Sequence, residues 1–183
     1  MGIIEETTAK FEKGLILVYT GNGKGKTTAA LGQALRAIGH GKKVLMIQFM
    51  KGRKYGEVLC AEKYLPDLTF CQCGLDSFVM KGKPAPVDIE LARQGLEKAA
   101  REIASNRYQL IILDEINVAM DFKLIPVDEV IRLLKSKPPG LDMVLTGRNA
   151  PPEIVEIADM VSEVKEIKHH YNQGVKDRAG IEY

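Results

Sequence analysis

Six short stretches of this chain are apolar at nearly every position: LILVYT (15–20), KVLMIQF (43–49), LTFCQC (68–73), QLIILD (109–114), LDMVLT (141–146) and MVSEVKEI (160–167). A strand with one wet face alternates apolar and polar residues, whereas an unbroken run suits a strand covered on both sides. Helical spacing separates the runs, so the pattern predicts an α/β fold: a mostly parallel sheet flanked by helices. The last run alternates more and is expected at a sheet edge.

The helices carry physical start and stop signals. From near Lys26, the residues Ala30, Ala34, Leu35 and Ile38 form one stripe that ends at Gly39 and Gly41, glycines able to adopt the left-handed cap conformation. Asp88 is expected as the N-cap of a helix carrying Ile89, Ala92, Leu96, Ala99, Ala100 and Ile103. Pro126 and Pro151 sit where first turns are expected, with Asp128, Glu129 and Glu153 near the positive end of each dipole. No repeat or low-complexity linker divides the chain. Residues 14–183 read as one domain, residues 1–13 as an N-terminal arm, and 168–183 as peripheral to the layered core.

Composition narrows the function classes. A chain of 183 residues with net charge +2 lacks the basic footprint that makes nucleic acid a default partner, while small anions stay open. Cys60, Cys71 and Cys73 offer no four-ligand zinc spacing and read as reduced, idle thiols. The start MGIIEETTAK is acidic and holds no apolar stretch of signal-peptide or membrane-span length, which points to a cytoplasmic protein without a membrane partner.

The chemistry concentrates in YTGNGKGKTTAAL (19–31), which follows one apolar run and opens a helix. The usual phosphate-binding loop is G-x-x-x-x-G-K-[ST]. Gly25, Lys26 and Thr27 fix its end, so its first glycine belongs at position 20, where Thr20 stands; the glycine has moved to Gly21. Backbone N–H groups of a loop with Gly21, Gly23 and Gly25 still converge on phosphate at a helix N-terminus. Lys26 adds a point charge, and Thr27 a hydroxyl ligand for magnesium. A second half-site is LIILDE, which puts Asp114 and Glu115 at the C-terminal end of a buried strand, where parallel α/β sheets bind ligands. The loop alone does not name the reaction. A standard loop exposes the terminal phosphate, as in a phosphotransferase or ATPase of RecA-like type, which fits poorly with a loop one residue short. A shortened loop shifts which phosphate is cradled and presents a different carbon or phosphorus for attack.

Taken together, TGNGKGKTTAALGQALRAIGHGKKVLMIQFMKG, LIILDEINVAM, LTGRNAPPEIVEIADMVSEV and the closing KHHYNQGVKDRAGIEY resemble the ATP:corrinoid adenosyltransferases over most of residues 14–183. The resemblance implies a RecA-like P-loop fold that binds ATP in the reverse sense, so that the 5′-carbon faces the nucleophile. It implies transfer of the 5′-deoxyadenosyl group to the cobalt of a Co(I) corrinoid, cobalamin or a precursor such as cob(I)yrinic acid a,c-diamide, with triphosphate leaving. A non-catalytic corrinoid carrier is the remaining alternative. Carried over position by position, the phosphate contacts are Gly21, Asn22, Gly23, Lys24, Gly25, Lys26, Thr27 and Thr28, with Arg36, Gln48 and Arg148 as further candidates. Lys26, Thr27 and Glu115 are the expected catalytic groups. Thr27 and Glu115 are the expected contacts to Mg2+ or Mn2+, with Asp114 in support. The family also implies a homodimer and an electron donor such as a reduced flavoprotein. One departure stands out: enteric-type members carry an aromatic pair in GFTW on the corrinoid side, whereas this chain has no tryptophan and reads GLDSFVMKGKPAP. Phe78 is the candidate for the aromatic role, and Lys81 and Lys83 for contacts to corrinoid amides or phosphate. His169 and His170 read as a surface pair.

Overall fold

The computed structural model describes residues 13–77 and 79–183. Residues 1–12, most of the expected arm, and Phe78 lie outside the described residues. The six apolar runs become β1 (Ile16–Thr20), β2 (Val44–Phe49), β3 (Leu68–Cys73), β4 (Leu110–Asp114), β5 (Asp142–Thr146) and β6 (Met160–Glu163). They form one sheet in the order β3-β2-β4-β5-β1-β6, and every pairing is parallel, beyond the mostly parallel sheet expected. All six C-terminal strand ends therefore share one edge.

The unbroken apolar runs are explained by helices on both faces. Val44 and Met46 face one core with Ala30, Ala34 and Ala37 of α1 (Lys26–Ile38) and Ala61 of α2 (Gly56–Tyr64). Leu45 and Ile47 face the other, built by α3 (Pro86–Ala104), α4 (Ile116–Asp121), α5 (Val127–Lys135) and α6 (Pro152–Ile157). Small residues on α1 let the helix that carries the phosphate-loop signature lie close to the sheet. β6 lies at the edge, as its alternation predicts, and is largely exposed.

Several local details differ from expectation. Asp88 is not the N-cap of α3: Ala85 is, and the Asp88 carboxylate reaches back to accept the Ala85 N–H at 2.9 Å. The acidic third residue thus satisfies the N–H of the cap residue, the half of a capping box that alanine leaves available. Gly39 stays right-handed, and Gly41 takes the left-handed conformation with φ 71°. Helices α2 and α4 are not predicted from the sequence: α2 buries only Val58 and Ala61, and α4 is six residues long. Among the described residues, no helix is long and apolar enough to cross a membrane.

One side chain reinforces the start of the β1–β6 ladder. Asp159 accepts the Ile16 N–H at 2.9 Å and the Lys13 ammonium at 2.7 Å, while its own N–H donates to the Ile16 carbonyl at 2.8 Å. The Lys13 hydrogen bond, then that of Ile16, holds the Asp159 pKa below the ordinary carboxylate value. A depressed acid stabilises the fold above its unfolded pKa, about 3.9, and loses that contribution as pH falls through the lower folded value. Urea denaturation across this acid range should therefore show a shallower loss of stability for Asp159→Asn than for the parent. Identical slopes would remove Asp159 from this role.

Candidate active site

Four strand ends deliver the site. β1 runs into the glycine loop, where Gly21 and Gly25 have φ values of 97° and 120°, conformations that other residues rarely adopt. A Cβ on Gly21 or Gly23 would also strike the backbone of Val164 or Lys165, so the loop lies flush against the segment after β6. Gly23 N–H donates to the Val164 carbonyl at 2.8 Å, which makes Gly23 a brace of the loop. The first bond of α1 is Ala29 N–H to Gly25 carbonyl at 2.8 Å. The N–H groups of Lys26, Thr27 and Thr28 thus precede the helical ladder and point to the positive end of its dipole.

Lys26 is buried, and its ammonium donates to the carbonyls of Gly21 at 2.8 Å and Gly23 at 2.7 Å. Burial pulls its pKa down; Glu115 opposes this, Arg148 adds to it, and Asp114 opposes it again. Arg148, exposed after β5, thus lies within electrostatic reach of the loop. Asn22 lines a cavity of about 370 Å³ beside the loop together with Glu163, Lys165 and Glu166.

The carboxylate of Asp114, fully buried at the end of β4, gathers the site. Its Oδ1 accepts the Thr27 hydroxyl at 2.9 Å and the Thr146 hydroxyl at 2.7 Å, from α1 and β5. Its Oδ2 accepts the Gln48 amide at 3.2 Å and the Lys51 ammonium at 2.7 Å, from the end of β2 and the loop beyond. Lys51 was not singled out in the sequence. Burial alone would lower its pKa, but the charge and hydrogen bond of Asp114 raise it above the ordinary value, so the pair is ionic. The signal that could have found it is MKG following directly on a strand whose end faces the same edge.

Glu115 follows in the left-handed conformation, with φ 62°, and its N–H donates to Thr146 Oγ1 at 3.0 Å. A non-glycine residue held there costs on the order of 1–3 kcal/mol, which the surrounding contacts must offset. Burial first, then the charge of Asp114, raises the Glu115 pKa; Lys51, Lys26 and Arg148 pull the other way. No hydrogen bond contributes to that shift. A half-buried carboxylate on the residue after Asp114, whose Oδ1 holds the Thr27 hydroxyl, suits a hard cation. Among the described residues no group of three His, Cys, Asp or Glu could hold a metal by itself. Magnesium is commonly bound by one or two carboxylates with water and substrate phosphates completing the shell, so Thr27 and Glu115 fit it.

Other candidates are placed apart. Arg36 lies in the last turn of α1, bonded to Gln33 at 3.4 Å. Ten residues at about 1.5 Å each separate it from Lys26, so the helix carries it away from the loop. Lys81 is paired with Asp121 at 2.7 Å, Lys83 is exposed, and His169 stacks on His170 with ring centres 4.6 Å apart.

Comparison with known proteins agrees with this geometry. A family model described as ATP:corrinoid adenosyltransferase BtuR/CobO/CobP matches residues 12–183. The chain is 40% identical over 174 residues to a corrinoid adenosyltransferase of Sinorhizobium sp., covering 94% of this chain and 81% of that protein. It is 38% identical over 176 residues to the corrinoid adenosyltransferase of Escherichia coli K12, covering 96% and 88%. In structure it is similar to the RadB recombinase, with a TM-score of 0.56 at 16% identity over 88% of this chain and 79% of that one. A KaiC-like protein from Pyrococcus horikoshii OT3 gives 0.54 at 15% identity over 86% and 76%. At such low identity these two likenesses establish the RecA-like P-loop fold and nothing further.

The Lys51–Asp114 pair yields a stability prediction. Removing one partner of a buried ion pair typically costs 3–5 kcal/mol, and Lys51 is only partly screened by solvent, with 16% of its side chain exposed. Lys51→Met should lower the unfolding free energy by about 3 kcal/mol in chemical denaturation. A change within about 0.5 kcal/mol, the range of ordinary surface substitutions, would show that Thr27, Thr146 and Gln48 satisfy Asp114 without it.

Proposed function

The chain belongs to the ATP:corrinoid adenosyltransferase family, and from this we propose that it transfers the 5′-deoxyadenosyl group of ATP to the cobalt of a Co(I) corrinoid. The observation that carries the reading at the site is the Lys26 ammonium held on the glycine loop at the positive end of α1, with Lys51 on the carboxylate of Asp114 that also holds Thr27 of that helix. This is an environment for a leaving polyphosphate. The cobalt supplies the electron pair that forms the Co–C5′ bond, the bond from C5′ to the α-phosphate oxygen breaks, and its electrons leave with triphosphate. No protein base is required.

The chain's contribution is electrostatic and positional. Preorganised dipoles and cations aimed at developing charge act without reorganising during the step. The N–H groups of Lys26, Thr27 and Thr28, with Asn22, Lys24 and Gly25 of the loop, cradle the phosphates. Lys26 exchanges its Gly21 and Gly23 carbonyls for phosphate oxygens. Thr27 and Glu115 would hold Mg2+ or Mn2+, which supplies further charge stabilisation when bound. Asp114 orients Thr27 and Lys51. Arg148 reaches the phosphates or ribose from β5. The reading extends to a cytoplasmic homodimer in which the 1–13 arm covers a site, Phe78 meets the corrinoid, and a reduced flavoprotein delivers electrons to cobalt.

Loss of a charged donor to phosphate is worth about 1.5–3 kcal/mol, so Lys26→Ala should lower kcat/KM by roughly 10- to 150-fold while the variant stays folded. Near-parent activity in a soluble variant would displace Lys26 from the site. Glu115→Gln should raise the magnesium concentration needed for half-maximal rate; an unchanged requirement would place the cation elsewhere. The reaction itself is tested by incubating the protein with ATP, magnesium and chemically generated cob(I)alamin. A light-sensitive adenosyl corrinoid and one equivalent of triphosphate by phosphorus NMR are expected. Stoichiometric ADP without a Co–C product would return the chain to the phosphotransferase or ATPase class.

A further inference from the structure

Cys71 and Cys73 look idle in the sequence, yet β3 brings their sulfurs to 3.7 Å. Positions two apart on a strand share a face, and this face is turned toward α3. Cys73 is buried there: a Cβ added to Gly95 of α3 would lie 3.1 Å from its sulfur. Cys71 is half-buried, and β3 is the outermost strand, so one side of the pair opens toward solvent. Contact with Cys73 lowers the Cys71 pKa to about 6 against the opposing effect of burial, and Lys98 and Arg101 of α3 also favour a negative Cys71 sulfur while Glu102 opposes them. The same contact, with burial, pushes the Cys73 thiol up, so a metal must displace the Cys73 proton. Glu102 is itself engaged by Lys98 at 2.7 Å and by Arg107.

The backbone holds this pair at the far end of the range for a disulfide. A parallel strand rises about 3.3 Å per residue, placing the two Cα atoms about 6.6 Å apart, near the upper limit of about 6.8 Å for disulfides. All of β3, from Leu68 to Cys73, is in register with β2 from Val44 to Phe49, and the Cys73 carbonyl accepts the Met50 N–H at 3.0 Å. The strand therefore cannot shorten without breaking its ladder. The same spacing suits a metal: two zinc–sulfur bonds of about 2.3 Å at the tetrahedral angle separate the sulfurs by about 3.8 Å.

We infer that Cys71 and Cys73 form a two-thiolate binding site for a soft, thiophilic divalent metal ion, on the outer strand and separate from the nucleotide loop. Binding forms two metal–sulfur bonds and releases any thiol protons to solvent, with no change of oxidation state. Among the described residues no third His, Cys, Asp or Glu completes the set, so water or a free thiol fills the remaining positions. Such a site exchanges its ion more readily than a four-ligand structural centre. The inference does not depend on the adenosyl-transfer reading.

Cadmium is a direct probe, because its thiolates absorb in the ultraviolet by charge transfer. Titration of the reduced, metal-free full chain should develop this band and saturate at one ion per chain, with equilibrium dialysis giving the same stoichiometry. Loss of even an outer partner of a metal site costs 10- to 100-fold in affinity, so Cys71→Ser should weaken binding by at least about tenfold. Cys60→Ser, which removes the exposed thiol of α2, should leave the titration unchanged. Cys71→Ser alters a half-buried position and decides the matter even if Cys73→Ser fails to fold. Absence of the band in the parent chain, or its full retention in Cys71→Ser, would overturn the inference.

Discussion

Asp114 is the point on which the site depends. A carboxylate with no solvent exposure is costly to bury unless both oxygens are satisfied, and here four donors from three segments supply that satisfaction. Thr27 comes from the start of α1, Thr146 from β5, and Gln48 and Lys51 from the end of β2 and beyond. Each donor fixes the segment that carries it. The arrangement binds the glycine loop to the centre of the sheet across β5, the strand that separates β1 from β4. Gln72 extends the network outward by donating to Gln48 at 3.0 Å and to the Arg53 carbonyl at 2.7 Å.

The same edge concentrates backbone conformations that ordinary residues avoid. Met50, Glu115 and Asn149 are non-glycine residues at positive φ, each a little beyond the end of a strand feeding the site. Glu115 is held by its bond to Thr146, and Met50 by its bond to Cys73 and by close packing of Gly74 against the backbone of Met50 and Lys51. Rigid strand ends thus turn abruptly to present Lys51 and Glu115. Their opposite charges moderate one another: Lys51, Lys26 and Arg148 partly offset the burial that raises the Glu115 pKa, and Glu115 in turn favours charged Lys26. A polyphosphate and its cation would add charge of both signs to this group, which is why the gathered residues suit them together better than either alone.

The chain's own pattern determined much of this protein. Runs apolar on both faces required a covered sheet, the helical stripe after Lys26 required α1, and the glycines from Gly21 to Gly25 marked the tight turn between β1 and that helix. Those readings succeed because strand burial, helix periodicity and glycine's freedom at positive φ are local properties, written within a few residues. Asp88 shows the limit of that locality: cap and third position differ by one turn's placement, and both fit an acidic residue. What only the tertiary structure decided is which distant residues meet. Sequence spacing cannot show that Lys51 reaches Asp114 or that Gly23 N–H is bonded to Val164. Nor could it show that an extended edge strand sets two apparently idle cysteines 3.7 Å apart. Those meetings follow from strand order and register, which are fixed by long-range pairing through the whole sheet.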